Sequence, residues 1–180
     1  MKVLNVGSGG NRNLLPPMFD GWEQILLDID PNVHPDIVWD ARELKKLDNL
    51  QVDAVHCSHC LEHFYQPEVP SVLEGFKHVL KTDGFVNIIV PDIAAAMRDM
   101  IARDHDINDV WYRTPTGPVT FHDVFYGWGP ALQIGNYHYA HKCGFTRLAL
   151  ESFLHYAGFG VINIELVNKN MDLHARGRKP

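Results

Sequence analysis

At 180 residues, with 22 acidic against 16 basic side chains and a formal net charge of −6, the chain has the size of one domain, 1–180, burying roughly two-thirds of its unfolded surface without disulfide or metal staples. The acidic balance argues against nucleic acid as a partner, because phosphate contacts need concentrated Lys and Arg, and no apolar run reaches the roughly 20 residues of a bilayer span. Three cysteines and no secretory leader point to a reducing cytoplasm.

Val3, Leu4 and Val6 form a short apolar run that breaks into Gly7, Gly9 and Gly10, which reads as a buried strand entering a tight loop. Glycines there permit positive φ and let a ligand approach the main chain, and such a loop after a first strand is where open α/β sheets hold nucleotide-like ligands. A dinucleotide fingerprint would open directly into a helix whose amino end carries a pyrophosphate. Here Arg12 takes the sixth position of that pattern and Leu14-Leu15-Pro16-Pro17 follows, so no long helix starts at the loop. S-adenosylmethionine has no phosphate, and its amino-acid end needs only backbone amides and a polar group.

Gln24 to Asp28 reads as a second strand, ending in an acidic residue placed to accept both ribose hydroxyls. Asp30-Pro31-Asn32 is a turn, Asp36 to Trp39 a third strand, and Asp40 the N-cap of a short helix over Ala41 to Leu47. A fourth strand, Asp53 to Cys57, leads into His56-Cys57-Ser58-His59-Cys60-Leu61-Glu62-His63. Cys57 and Cys60 have CxxC spacing, and His59-x-x-Glu62-His63 matches an inverted zinc-peptidase pattern. Against a metal, only one CxxC is present, Cys57 falls inside a strand, and Pro67 and Pro70 leave no room for a long helix. The expectation is no metal.

Val72, Leu73, Phe76, Val79 and Leu80 make one face of a helix over Val69 to Lys81. Thr82-Asp83-Gly84 turns into a fifth strand, Phe85 to Val90, and a helix over Ile93 to Arg103 follows. Residues 104 to 144 have no clear period but carry eight aromatic rings, with His138 and His141 among them, which argues against disorder. Residues 91–144 therefore read as an insertion covering the glycine loop as a lid and substrate region, with a homodimer interface as the other reading. Phe145 to Tyr156 is a last helix, and Val161 to Val167 and Met171 to Arg176 form a closing hairpin around Asn168-Lys169-Asn170.

Leu4-Asn5-Val6-Gly7-Ser8-Gly9-Gly10, Leu27-Asp28-Ile29-Asp30, Trp39-Asp40-Ala41, Ser58 to Phe64 and Val79 to Phe85 together resemble the class I S-adenosylmethionine-dependent methyltransferases, in particular the small bacterial type-11-like group. The chain departs from that pattern at Asn5, where the group has an acidic residue, and at Asn11, where it has a third loop glycine. The resemblance implies a three-layer, Rossmann-like α/β sheet in the order 3-2-1-4-5-7-6 with its last strand antiparallel, and S-adenosyl-L-methionine as cofactor. It implies that Asn5, Gly7, Ser8, Gly9 and Gly10 hold the methionine end, Asp28 with Ile29 the ribose, and Asp40 with Ala41 the adenine. Ser58 and His59 would open toward a small-molecule acceptor, such as a sugar or secondary metabolite methylated on oxygen or nitrogen. Methyl transfer from a sulfonium is mostly a matter of positioning; where the acceptor is a hydroxyl, His59, His138 and His141 are the candidate general bases. Two alternatives stay open: a zinc-dependent hydrolase using His59, Glu62 and His63, and a non-catalytic cofactor-binding partner protein.

Overall fold

The protein is described by a computed structural model covering residues 1–10, 12, 15–167 and 171–180. Strands β1 (Lys2–Val6), β2 (Glu23–Asp28), β3 (Ile37–Val38), β4 (Val52–Ser58) and β5 (Leu80–Pro91) run parallel. An outlying hairpin, β6 (Val110–Thr114) and β7 (Gly117–Thr120), precedes the closing strands β8 (Gly160–Val167) and β9 (Asp172–Arg178). The main sheet has the order β3-β2-β1-β4-β5-β9-β8, with β9 antiparallel to both neighbours. Once the outlying hairpin is set aside, this is the 3-2-1-4-5-7-6 order expected from the sequence. The turn expected at residues 168–170 and the position of Asn11 lie outside the described residues.

Central strands of a parallel sheet are covered on both faces and so read as continuous apolar runs; Val3, Leu4, Val6, Val55 and Cys57 are at most 1 % exposed. On one face Leu4, Val6, Val55 and Cys57 meet Leu73 and Phe76 of helix α1 (Val69–Val79) and, further along, Leu150 and Leu154 of the last helix. The alternate residues Val3 and Ala54 meet Phe19 on the other face. There the cover is slight: a 3-10 turn, Pro17–Phe19, sets Phe19 parallel to Phe85 at 6.1 Å, with Trp22 edge-on to both.

That second face holds a buried polar chain. The Asn87 amide nitrogen donates to His56 Nδ1 at 2.9 Å, and the Asn87 oxygen is bonded by His174 Nε2. Burial, reinforced by the neighbouring His174, pushes the His56 pKa down to about 4. The unfolded chain takes up this proton near pH 6.5 and the folded chain only near 4, so His56 contributes stability that is full above pH 6.5 and lost as pH falls toward 4. Urea denaturation from pH 7.5 down to about 4 should show a loss about 3 kcal/mol larger than in His56→Gln; equal losses would show that His56 does not drive it.

The short helix expected after Asp40 is a 3-10 helix, Ala41–Lys46, capped by Asp40. Local structure departs from expectation in two places. The Thr82 to Gly84 turn is absorbed into a longer β5, with Asp83 at φ 62° and a register shift against β4. Residues 104–144, read as irregular, carry β6, β7, helix α3 (Phe121–Tyr126) and helix α4 (Gly129–Gln133). Together with α2 (Ile93–Ala102), they enclose a separate cluster of Ala96, Val119, Phe121 and Val124. Thr120 and Asp123 form a reciprocal capping box that starts α3. Helix α5 (Arg147–Tyr156) then returns the chain to the main core. No helix among the described residues is long and apolar enough to cross a membrane.

Candidate functional site

The carboxyl ends of β1, β2 and β4 open into a cavity of about 300 Å³, within the range of small-ligand sites. Its floor is the loop after β1, where Gly7, Gly9 and Gly10 sit at φ 68°, 55° and 73°. The three glycines differ in their surroundings. A Cβ on Gly7 would run into the Cys60 side chain, and one on Gly10 into the Val33 carbonyl oxygen, whereas at Gly9 nothing lies within 4 Å. Gly9 thus leaves open the space through which a ligand approaches the main chain.

Asp28, half-buried at the tip of β2, accepts from Gly9 N at 2.9 Å through Oδ2 and from Asp30 N at 3.1 Å through Oδ1. Both oxygens keep acceptor capacity toward the cavity, since an ionised carboxylate offers about four lone-pair directions. Asp40 also borders the cavity, but Arg42 takes it in a fork: Nε lies 3.0 Å from each oxygen, and the Arg42 amide donates to Oδ1 at 2.9 Å. Hydrogen bonding from this guanidinium holds the Asp40 carboxyl below the usual carboxylate range. Arg42 Nη1 bonds Glu68 at 2.7 Å, tying the wall beside buried Ala41 to the start of α1.

The cavity brings together Gly7, Gly9, Asp28, Ile29, Asp40, Ala41, His59 and His138 from the residues expected to form a site. Asn5, Ser8, Gly10, Ser58 and His141 do not line it. Alternation along β1 puts Asn5 on the Val3 side of the sheet, opposite Leu4 and Val6, where it is 4 % exposed. Ser8 folds back, its Oγ accepting from Gly10 N at 3.4 Å. Trp39, Phe64, Tyr139 and Lys142 line the cavity and were missed by sequence reasoning. Trp39 and Phe64 stand inside the motifs that carry the resemblance, and Tyr139 and Lys142 in the same stretch as His138 and His141, but nothing in the local sequence marks their side chains as facing the cavity.

His59 follows β4 at φ 50° and its amide donates to Ile89 O at 2.9 Å. Its half-exposed ring stands between Glu62 Oε1, 3.6 Å from Nδ1, and Asp172 Oδ2, 3.7 Å from Nε2. Crowding by protein works against its charge, but the two carboxylates outweigh it and lift the pKa to about 8. Protonated at neutral pH in the free chain, His59 is not set up as the proton acceptor expected of it. His59 also borders a second cavity of about 1160 Å³, lined among others by Arg98, Trp111, Tyr112 and Arg113.

His141 does not line the first cavity, but its ring packs 5.0 Å from that of His63, which does. His141 Nδ1 bonds Val124 O at 2.9 Å and its Nε2 is 4.0 Å from Glu62 Oε1. Burial is the main cause that lowers its pKa. Glu62 itself is 1 % exposed; desolvation opposes its charge, but His59, then His63 and His141, hold its carboxyl below the usual range. The inverted peptidase pattern needs His59 to His63 on one helix; instead His59 has left-handed backbone and only Leu61–His63 forms a 3-10 turn. The hydrolase reading therefore loses its scaffold.

The methyltransferase-domain family model matches residues 4–88, from β1 into β5. No curated protein matches the sequence significantly. A methyltransferase structure from Archaeoglobus fulgidus, described as S-adenosylmethionine-dependent, superposes with a TM-score of 0.64 at 19 % identity, covering 99 % of this chain and 86 % of that one. A Pyrococcus horikoshii protein gives 0.64 at 17 % identity, with 99 % and 82 % covered. Human N-acetylserotonin methyltransferase, solved with S-adenosylmethionine, gives 0.58 at 14 % identity, with 99 % of this chain and 47 % of the human one covered. These likenesses show the fold: the chain has the Rossmann-like α/β methyltransferase fold, and its residues 4–88, just under half of it, match the methyltransferase-domain family.

Proposed function

We propose that the protein moves the methyl group of S-adenosylmethionine to an oxygen or nitrogen of a small-molecule acceptor, such as a sugar or secondary metabolite. One observation carries this reading: His59 belongs to the walls of both cavities, so a donor over the glycine loop and an acceptor in the second cavity meet beside it. Gly7 and Gly9 would take the methionine end, Asp28 the ribose hydroxyls, and the apolar surfaces of Ile29, Ala41 and Phe64 the adenine. The adenine amine would share Asp40 with Arg42. Trp111 and Tyr112 offer faces for a ring, and Arg98 and Arg113 suit an oxygen-rich acceptor. The human relative acts, by its name, on N-acetylserotonin, which supports a small molecule as the acceptor class.

Asn136, His138, Tyr139 and Lys142 reach the first cavity from the 91–144 segment, which supports that segment as a lid. Exposed Tyr126, Ile134 and Tyr137 on it offer apolar surface to a second copy of the chain. The free thiols Cys57, Cys60 and Cys143 support a reducing compartment, the cytoplasm.

Among the three candidate bases, His138 alone lines the cavity with a ring that has no hydrogen-bond or ion-pair partner among the described residues. For a hydroxyl acceptor, its ring nitrogen takes the proton as the oxygen forms the new bond to carbon; the sulfur–carbon bond breaks and its electron pair stays on S-adenosylhomocysteine. Calorimetric titration with S-adenosylmethionine and S-adenosylhomocysteine tests the core of the reading, and absence of saturable 1:1 binding up to about 1 mM would defeat it in favour of a non-catalytic protein. With an acceptor in hand, His138→Ala should lower kcat by about 100-fold or more while leaving cofactor affinity within a few-fold; an unchanged kcat removes His138 from this role.

A further inference from the structure

Below the wall of the first cavity, Glu62 presents a chemical problem. Its carboxylate is 1 % exposed, yet neither oxygen has a hydrogen-bond donor among the described residues. The imidazole nitrogens that approach it, His59 Nδ1 at 3.6 Å and His141 Nε2 at 4.0 Å, stop beyond hydrogen-bond range. An unsatisfied buried carboxylate is costly and calls for a compensating group.

Two neighbouring histidines are arranged so that they do not supply a proton. His63 Nδ1 is 3.0 Å from Ala140 O, and His141 Nδ1 is 2.9 Å from Val124 O. A carbonyl oxygen only accepts, so in each ring Nδ1 carries the hydrogen and, in the neutral tautomer, Nε2 is left with a lone pair. Outer hydrogen bonds of this kind, from one imidazole nitrogen to a backbone carbonyl, are what orient metal-ligating histidines. One ligand atom from each of Glu62, His63 and His141 lies within 4.8 Å of the other two. The rings of His63 and His141 are 5.0 Å apart between centroids. Main-chain bonds hold the arrangement: Lys142 N and Cys143 N both donate to Glu62 O, at 2.8 and 3.2 Å, and so bring the end of the inserted segment against the 61–63 turn.

We infer that Glu62, His63 and His141 form a binding site for one divalent transition-metal ion, with a solvent molecule or ligand as the fourth donor. Imidazole nitrogens with one carboxylate suit Zn²⁺ and its first-row neighbours better than Mg²⁺ or Ca²⁺, which prefer oxygen ligands. Zinc bonds of about 2.0–2.1 Å set tetrahedral donors roughly 3.4 Å apart, so the group must draw in by on the order of 1 Å. His59 and His63 also line the first cavity. An ion held by Glu62, His63 and His141 reaches that cavity through His63, where a coordinated hydroxyl or water gives up its proton more readily. The site stands on side chains alone and does not depend on methyl transfer.

The test uses the full chain, prepared without a histidine tag and stripped of metal with a chelator. Zn²⁺ titrated by calorimetry should bind 1:1, raise Tm, and bind at least about 100-fold tighter than Mg²⁺. Co²⁺ should give the visible d–d bands of a four-coordinate nitrogen and oxygen site. Glu62→Gln and His141→Gln should each weaken Zn²⁺ by about 100-fold or more; should either fail to fold, His63→Gln, half-buried at the cavity wall, carries the same expectation. Absence of 1:1 Zn²⁺ binding, or affinity unchanged in the folded variants, overturns the site. Loss of stability in His59→Ala with no response to any metal also overturns it, by showing that a protonated His59 alone balances Glu62. S-adenosylmethionine binding, measured separately, succeeds or fails without bearing on these outcomes.

Discussion

Asp28→Ala is expected to weaken S-adenosylmethionine binding by about 100-fold or more. A carboxylate accepting two ribose hydroxyls makes two charge-assisted hydrogen bonds, each worth about 1.5–3 kcal/mol. Losing both amounts to more than two powers of ten at 1.4 kcal/mol per tenfold. The substitution acts a second time through the free protein, because Asp28 Oδ2 is the acceptor for Gly9 N and helps to hold the loop in its binding shape. Asp28→Asn keeps one acceptor oxygen but no charge, and should lose roughly tenfold. Asp28 is half-buried at a strand tip, outside the apolar clusters, so Tm should move little and lost affinity should not reflect unfolding. Calorimetry on both variants decides the matter; an Asp28→Ala dissociation constant within threefold of the parent would remove this residue from the cofactor site.

Gly7→Ala should cost the fold itself about 2–4 kcal/mol. At φ 68° an L-residue bears roughly 1–2 kcal/mol of backbone strain. The new methyl would also stand 2.7 Å from Cys60 Cβ and closer still to its sulfur. Cys60 is buried, 9 % exposed, and has little room to give way. For a chain of this size each kcal/mol lowers Tm by about 2–4 °C, so a drop of roughly 5–15 °C is the expected reading in a thermal scan. Gly9→Ala is the comparison: its φ of 55° carries similar strain, but nothing lies within 4 Å of the new methyl. It should therefore destabilise by only about 1 kcal/mol while obstructing the cofactor. Cys60→Ala, which removes the sulfur, should recover part of the Gly7→Ala loss; equal Tm values for the two glycine variants would refute the packing argument.

The sheet and the first cavity were legible because their signals are local and additive. Val3 to Gly10 carry a buried run and a loop in one stretch, and Asp28 and Asp40 each end a short apolar run. The inserted segment was not legible, for the opposite reason. Pro115 to Pro118, Gly127 and Gly129-Pro130 cut its second part into pieces of three to six residues, too short for a helical or strand period to emerge. Asn5 was noticed as a substitution, but its orientation depends on which face the pleat assigns it. The meeting of Glu62 with His141 was invisible because 79 positions separate them and the link is main-chain hydrogen bonding from Lys142 and Cys143. His59, a candidate base from its place after β4, has its charged form stabilised first by Glu62 and then by Asp172, a neighbour at the far end of the sequence.

The cluster of Ala96, Val119, Phe121 and Val124 is walled off from the one that stabilises the sheet. The two clusters share no residue, so a substitution at Trp111, which packs against the smaller one, is expected to loosen the inserted segment while leaving the apolar interior of the sheet intact.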